Sequence, residues 1–491
     1  MKENFCKSIL ILLVLLTFTH SCTSDTQNGH TAHSDEFTEA PDFFVPYSIA
    51  EDGAAEFDRN RLYVRDYSSF LNAVSIIATG LHPDEFGNDN YRPDLYPEAM
   101  HQRAKQWLDM VDLIDTYFND SGRISPRLEH MAGVYSVAGD VDLSIYPHLV
   151  YASHIHHQSG RFEQDEALRN RLNREPANYL VSPGRYLMNE HFREGAFHHA
   201  DGSVDHKSMS YGLGGIHANA YAWVASKNTG EQEDRGVLTE ADLAHYMEHT
   251  PDDMVRIYRE AAGRLDGAWD ASRSIYDFGD GTTWQLDAVG AMIRGNKALY
   301  DFLYMFGKED DAETARRVFE RTVAMLEAVA PLTRPWGMPD RVTFTEDGAR
   351  AASQVVNVYD WYQFLNHLGG GYGLDREREG MPMYLTRYRK DIADLIGNLS
   401  DSALRGALAY HIDERDRIVT TVSYTNGSVT DDRFTTSTAG MFIVTAANMY
   451  RKGSDFEQAS EWEEIPAPVA NRSRELYDAI FSLFGHVERA M

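Results

Sequence analysis

Apolar residues recur at three- and four-residue spacing along most of the chain, the periodicity of helices with one buried face. The pattern predicts helices over 68–81, 100–118, 241–265, 283–306 and 312–332. Pro251 interrupts the third of these. The segment GKEDD at 307–311 reads as a turn feeding an acidic helix start, so the helices on either side form a hairpin. Further helices are expected over 383–397, 402–410, 439–450 and 472–484. Strand signals are few. Asn426-Gly427 lies between β-branched runs within 417–438, a hairpin signature, and 340–348 is a second candidate. About a dozen helices with no internal linker predict an all-α fold. A period of about 34–45 residues, as in a helical-repeat solenoid, is missing. The expected architecture is an (α/α) toroid of helical hairpins over 43–491, with one or two small β-hairpins toward the C-terminal part.

The N-terminus reads differently. Lys2 and Lys7 precede an apolar run over 9–18, too short for the roughly 20 residues of a membrane span. A basic start, a short apolar region and a small residue before Cys22 fit a signal peptide over 1–21. A cysteine at that point resembles the lipobox of bacterial lipoproteins. The resemblance implies export, acylation of Cys22 and a lipid anchor at the outer membrane or cell surface, or a periplasmic place. Residues 22–42 are polar and read as a flexible tether. The two cysteines, Cys6 and Cys22, both fall in the export segment, so no disulfide is expected in the domain. Membrane contact is expected only through the lipid.

Composition narrows the partners. Lys and Arg total 46 against 75 Asp and Glu, a formal charge of −29. That balance argues against nucleic acid and would repel an anionic polysaccharide at long range. Such a ligand would need a local basic cleft, because ordinary salt screens charge within about 8–10 Å. An acidic surface also suits solubility in a salty habitat.

Histidines supply the first candidate chemistry. Nine of the twenty lie between His148 and His217. His154 and His157 have helical i, i+3 spacing, yet no further ligand follows at a metal-site spacing, so no metal is expected. The nucleotide, zinc-protease and serine-hydrolase motifs are not present, and no cofactor is expected.

The stretch ADGSVDHKSMSYGLGG carries a more specific signal. Asp201-Gly202-Ser203, then His206, then Tyr211-Gly212 resembles the loop that enters a toroid helix in the toroidal polysaccharide lyases, the family 8 and heparinase-like enzymes acting on uronate glycans. Ser272-Arg273, within 263–274, resembles that family's arginine-rich segment. The His-to-Tyr spacing is shorter here, the family's N-W-W segment is missing, and no room remains for its C-terminal β-sandwiches. Asn178 is the nearest counterpart of its catalytic asparagine. The resemblance implies a polysaccharide lyase acting by β-elimination on an anionic polysaccharide or oligosaccharide. In that chemistry a uronate carboxylate is neutralised, a base removes the neighbouring proton and an acid protonates the leaving oxygen. Arg273 suits the first role, His206 the second, and Tyr211 the third or an alternative base. Gly212, Gly214 and Gly215 would let a sugar approach the backbone.

His217 and Asn219 faintly resemble residues on a cleft-side helix of the alginate-lyase toroids and are reserve binding candidates. Trp336 and Trp361, beside turn residues, are candidate sugar platforms. Two alternatives stay open. A glycoside hydrolase on the same toroid would need two carboxylates, for which Asp205, Asp280, Asp287 and Asp360 are available. A non-catalytic glycan-binding lipoprotein of the SusD-like kind would also be helical, and 296–311 superficially resembles one of its helices.

Overall fold

The computed structural model describes residues 36–37, 45–50, 54–56, 61–80, 97–152, 163–174, 176–228, 240–369, 390–458 and 474–491. Cys22, the export segment and the 154–157 histidines lie outside these residues, as do 383–389 of one predicted helix. Fourteen α-helices are described: α1 Val64–Gly80, α2 Pro97–Tyr117, α3 Glu166–Arg174, α4 Pro176–Tyr186, α5 His206–Gly215, α6 His217–Asn228, α7 Glu240–Met247, α8 Pro251–Ala268, α9 Leu286–Phe306, α10 Glu309–Val329, α11 Val358–Gly369, α12 Lys390–Gly406, α13 Thr436–Gln458 and α14 Arg474–Ala490. Among the described residues, no helix is long and apolar enough to cross a membrane.

The contacts close into a ring. α1 packs on the 3-10 segment Leu143–Ala152, that segment on α5, α5 on α9, α9 on α11, α11 on α13, and α13 back on α1. Outside the ring, α2 lies on α1, α10 on α9, α12 on α11 and α14 on α13. This is an (α/α) toroid, built from hairpins of one inner and one outer element.

Residue character separates the two layers. Along α9 every residue from Leu286 to Leu303 except Asp287 is buried, as expected of a helix surrounded by protein. Its hairpin partner α10 buries one stripe, including Ala315, Val318, Phe319 and Leu326, beneath a charged outer face. The predicted break at Pro251 is real. Thr250 caps α8 by accepting from the Asp253 amide, the Asp253 carboxylate reaches back to Thr250, and Pro251 takes the first helical position.

Short strands precede the inner helices. Arg61–Tyr63 runs into α1, Thr283–Gln285 into α9, Val355–Asn357 into α11 and Phe434–Thr435 into α13. Each pairs antiparallel with a neighbouring strand, so small sheets surround the end of the toroid where the inner helices begin. The Asn426-Gly427 hairpin forms as expected, with Thr421–Ser423 pairing with Val429–Asp431. The sheets exceed the one or two predicted hairpins because most strands span only two to five residues, too short for a period-two pattern to show. Glu36–Phe37, within the predicted tether, pairs with Tyr135 and Ser136.

The largest difference from expectation is α5. Its residues read as a glycine-framed entry to a toroid helix, and from His206 to Gly215 they are themselves that helix, one of the inner ring. Asp205 caps it, accepting from the Ser208 amide while Ser208 Oγ accepts from the Asp205 amide. The glycines serve packing and not sugar approach. A Cβ at Gly212 would sit 2.1 Å from the Phe197 ring, and one at Gly215 would sit 2.5 Å from Leu187. Across the seam, a Cβ at Gly295 would meet Leu213 at 2.5 Å and the Gly214 amide nitrogen at 2.9 Å. Small residues here let α5 and α9 touch almost backbone to backbone.

Candidate active site

The inner helices share one pattern. Within the described parts of α1, α5, α9, α11 and α13 almost every side chain near the helix start is buried, with one exception in each first turn. The exceptions are Arg65, Lys207, Asp287, Asp360 and Ser437. Arg65 interacts electrostatically with Asp142, Asp287, Asp360 and Tyr359, so these starts converge on one mouth.

A cavity of about 490 Å³ opens there, within the roughly 300–1,000 Å³ usual for ligand sites. Arg65, Asp66, Asp142 and Tyr359 line its floor, and Asn357, Thr420 and Ser437 give one wall hydroxyl and amide groups. Tyr47 and Tyr63 form an aromatic wall with ring centroids 6.1 Å apart, and Tyr47 remains 36% exposed. The Arg65 guanidinium lies 5.1 Å over the Tyr359 ring. Among the described residues, no carboxylate comes within ion-pair distance of it.

Two carboxyl groups that interact with Arg65, although neither lines the cavity itself, differ in their surroundings. Burial pushes Asp360 well above the usual carboxylate range, and the charge on Asp287 adds to the rise, with Arg65 opposing. Burial also raises Asp287, but hydrogen bonds from Tyr211 and the Ala288 amide oppose it, as do Arg65 and Lys207. Tyr211 Oη donates to Asp287 Oδ2 at 2.7 Å, and the Ala288 amide donates to Oδ1 at 2.8 Å. Both oxygens of Asp287 therefore accept, which suits the ionised form. The surroundings of Asp360 favour its protonated form, through burial and the Asp287 charge. Nearby, burial pushes Asp66 up to about 7, against Arg65 and hydrogen bonds with Ser437.

The lyase-like triad is only partly gathered. Tyr211 reaches the site from α5, but burial and the Asp287 charge push its hydroxyl well above its ordinary value, which makes it a poor base. His206 is 6% exposed and its ring stacks on Trp284 at 4.7 Å. Asp280 accepts from both its backbone amide and its Nδ1, leaving Nε2 buried without a partner. Arg273 sits in the turn between the strands Trp269–Asp270 and Ile275–Tyr276, pairing with Asp270 at 3.4 Å and Asp277 at 3.6 Å, and does not line the cavity.

Other sequence candidates have structural places. Trp361 is fully buried in the core of α11 and offers no face to a sugar. Trp336 is half-buried, donating from Nε1 to the Tyr424 carbonyl and meeting Tyr410 edge to face. Asn219 is buried and donates to the Val181 carbonyl, clamping α6 to α4. His217 accepts from Arg294 Nε at 3.3 Å inside the toroid. There Arg294 also donates to His367, the Gln363 amide bridges His367 and His148, and His148 bonds the Tyr359 hydroxyl beneath the cavity. Asn178 lies on α4, with its side chain outside the described residues. Asp205 is spent on the α5 cap and Asp280 on His206. Among the described residues, no group of three or more His, Cys, Asp or Glu is arranged to hold a metal.

Arg65, Asp66, Asp142 and Tyr359 escaped the sequence reading. One signal could have found all but Asp142: a short strand followed at once by an acid in the first helical turn, as in YVRD (63–66), WQLD (284–287) and NVYD (357–360).

No protein-family model and no curated protein matches this sequence. Among solved structures, a D-mannose isomerase is similar over 82% of this chain and 93% of its own, at 10% identity and a TM-score of 0.47. A cellobiose 2-epimerase from Bacillus thermoamylovorans is similar over 84% of this chain and 94% of its own, at 10% identity and a TM-score of 0.45. A GH63 mannosylglycerate hydrolase from Thermus thermophilus is similar over 78% and 92%, at 12% identity and a TM-score of 0.28.

Proposed function

We propose that this chain is a carbohydrate-active enzyme that hydrolyses a glycosidic bond, with Asp360 as general acid and Asp287 as the ionised partner. The carrying observation is the pair itself. Two carboxyl groups, each the exception on an otherwise buried helix start, interact with one another, and Asp287 accepts from Tyr211 and the Ala288 amide. Glycoside hydrolysis needs a division of labour: a protonated carboxyl delivers a proton to the leaving oxygen, and an ionised one attacks or activates water. Tyr47 and Tyr63 would receive the apolar face of a sugar ring, with Asn357, Thr420 and Ser437 available to its hydroxyls. Arg65 could take an acidic substituent, which keeps an anionic glycan as the preferred substrate class. Export and attachment through Cys22 are proposed from the N-terminal sequence.

β-Elimination is the second reading, favoured by the Asp280 carboxylate that orients His206 as a base. The buried, unpartnered Nε2 weighs against it. One panel of uronate and neutral glycans separates the two. A hydrolase releases reducing ends without new ultraviolet absorbance, and Asp360→Asn abolishes the release. Unsaturated, absorbing products lost in His206→Ala would replace this proposal with the lyase reading.

A further inference from the structure

The hydrogen bond from Tyr211 to Asp287 carries a consequence for the paired carboxyls that rests on the hydrolase reading. We infer that Tyr211 is a positioning residue, which holds Asp287 as the ionised member of the pair and so keeps the shared proton on Asp360. Tyr211 starts from the buried middle of α5, and its side chain leans toward the helix N-terminus, as long helical side chains do. It thus reaches the first turn of α9 from beneath and meets Asp287 Oδ2 at 2.7 Å. The Gly295 seam holds the two helices close enough for this reach. A phenol in this place has one hydrogen bond to donate, and Asp287 accepts it.

The groups facing Asp287 are Tyr211 and Lys207 from α5, Arg65 from α1, and Asp360 from α11. Asp142 and Tyr359 face Arg65 from the 3-10 side and from α11, and Asp340 faces Asp360. Both cations favour an ionised Asp287, and Arg65 is shared with Asp360 and Asp142. Arg65 lowers the proton affinity of both members of the pair, so it cannot by itself decide which keeps the proton. The phenol contacts only Asp287. With the Ala288 amide and Lys207, it belongs to the set that favours Asp287 alone, and it is the side-chain hydrogen bond of that set.

Removing the hydroxyl has a defined signature. Without its donor, Asp287 binds a proton more tightly, so the first ionisation of the pair moves up. The second ionisation, loss of the Asp360 proton beside an already charged Asp287, keeps its place. Tyr211→Phe should therefore raise the acid limb of the kcat/KM profile by about one pH unit, the scale of a lost hydrogen bond to a charged group. The alkaline limb should stay. Maximal rate should fall as the proton spends time on the wrong carboxyl.

The test has two parts. pH–rate profiles of the wild type and Tyr211→Phe are compared on the cleaved glycan. Carboxyl titrations by NMR on Asp-labelled protein, assigned with Asp287→Asn and Asp360→Asn, read the same shift without turnover. A rise confined to Asp287 supports the inference. A uniform loss of rate with unmoved limbs and unmoved titrations overturns it and leaves Tyr211 a packing residue. If Asp287→Asn and Asp360→Asn keep full activity, the hydrolase reading fails, and the NMR titration still decides whether Tyr211 sets the ionisation of Asp287.

Discussion

Gly295→Ala tests the seam on which both toroid and site depend. A methyl group at 295 would lie 2.5 Å from Leu213 Cβ, 2.8 Å from the Leu213 carbonyl carbon and 2.9 Å from the Gly214 nitrogen. Two of these three atoms are backbone, so no rotamer relieves the clash and α5 must move away from α9. Alanine is intrinsically the better helix residue by roughly 0.5–1 kcal/mol. Overpacking a tight interior typically costs about 1–3 kcal/mol, and rigid backbone neighbours place this site toward the upper end. The net expectation is a destabilisation of about 2 kcal/mol. Gly263→Ala and Gly267→Ala on α8 are the controls, since nothing lies within 4 Å of a methyl group at either position and both are exposed. There only the propensity gain remains, and each should stabilise by up to about 1 kcal/mol. Urea denaturation followed by tryptophan fluorescence reads the midpoints, compared at matched slope. If Gly295→Ala matches or exceeds the stability of Gly263→Ala, the close seam is not what holds α5 against α9.

Other substitutions address the site and the core separately. Asp360→Asn and Asp287→Asn should each lower kcat by about 10²–10⁴-fold, the usual worth of a positioned acid or base, with the fold retained by circular dichroism. Tyr47→Ala should raise KM by roughly 2–10-fold and spare kcat, as expected for a lost stacking face, and an unchanged KM would remove the aromatic wall from the binding site. Burial pushes the His411 imidazole down to about 4, where it sits neutral between the Tyr362 hydroxyl and the Trp336 carbonyl. The unfolded chain takes up that proton near pH 6.5, so this stability is whole above about pH 6.5 and is lost as pH falls toward 4. Denaturation midpoints at pH 4–7 should therefore drop less steeply in His411→Gln. Asp66, Asp115 and Asp301, pushed up to about 7 by burial, work in the opposite direction, so the difference between variant and wild type is the diagnostic quantity.

The sequence made some of this legible and hid the rest for physical reasons. The helices α1, α2, α9 and α10 showed as periodic apolar runs, and the α9–α10 hairpin was plain from GKEDD. The start of α5 was hidden because three glycines and two serines in ten residues read as the loop entering a helix. That judgement holds for an isolated peptide, since glycine weakens a helix by roughly 0.5–1 kcal/mol each. In the ring the same glycines admit Phe197, Leu187 and α9, and tertiary packing outweighs the propensity. Tyr211 was found through its neighbours in sequence, but its partner Asp287 is 76 residues away. The carboxylate pair was visible only as two of four available acids. Asp205 and Asp280 turned out to serve a helix cap and a histidine, distinctions that require knowing which side chains remain open.

The mouth also sets two physical effects against each other, and their sizes decide the protonation. Asp287 and Asp360 both occupy the first turn of a helix, where the macrodipole favours the ionised form by about 0.3–1 kcal/mol, or well under one pKa unit. Burial and a like charge nearby can shift a carboxyl by several units in the other direction. The dipoles are the smaller effect, so burial and like charge favour a proton on the pair. Which carboxyl holds it is left to the local donors. Asp287 accepts from Tyr211 and from the Ala288 amide, whereas the Asp360 side chain has neither of these donors. In the proposed hydrolase, two similar acids at two similar helix starts are divided into an acid and a base by the contents of the neighbouring helix.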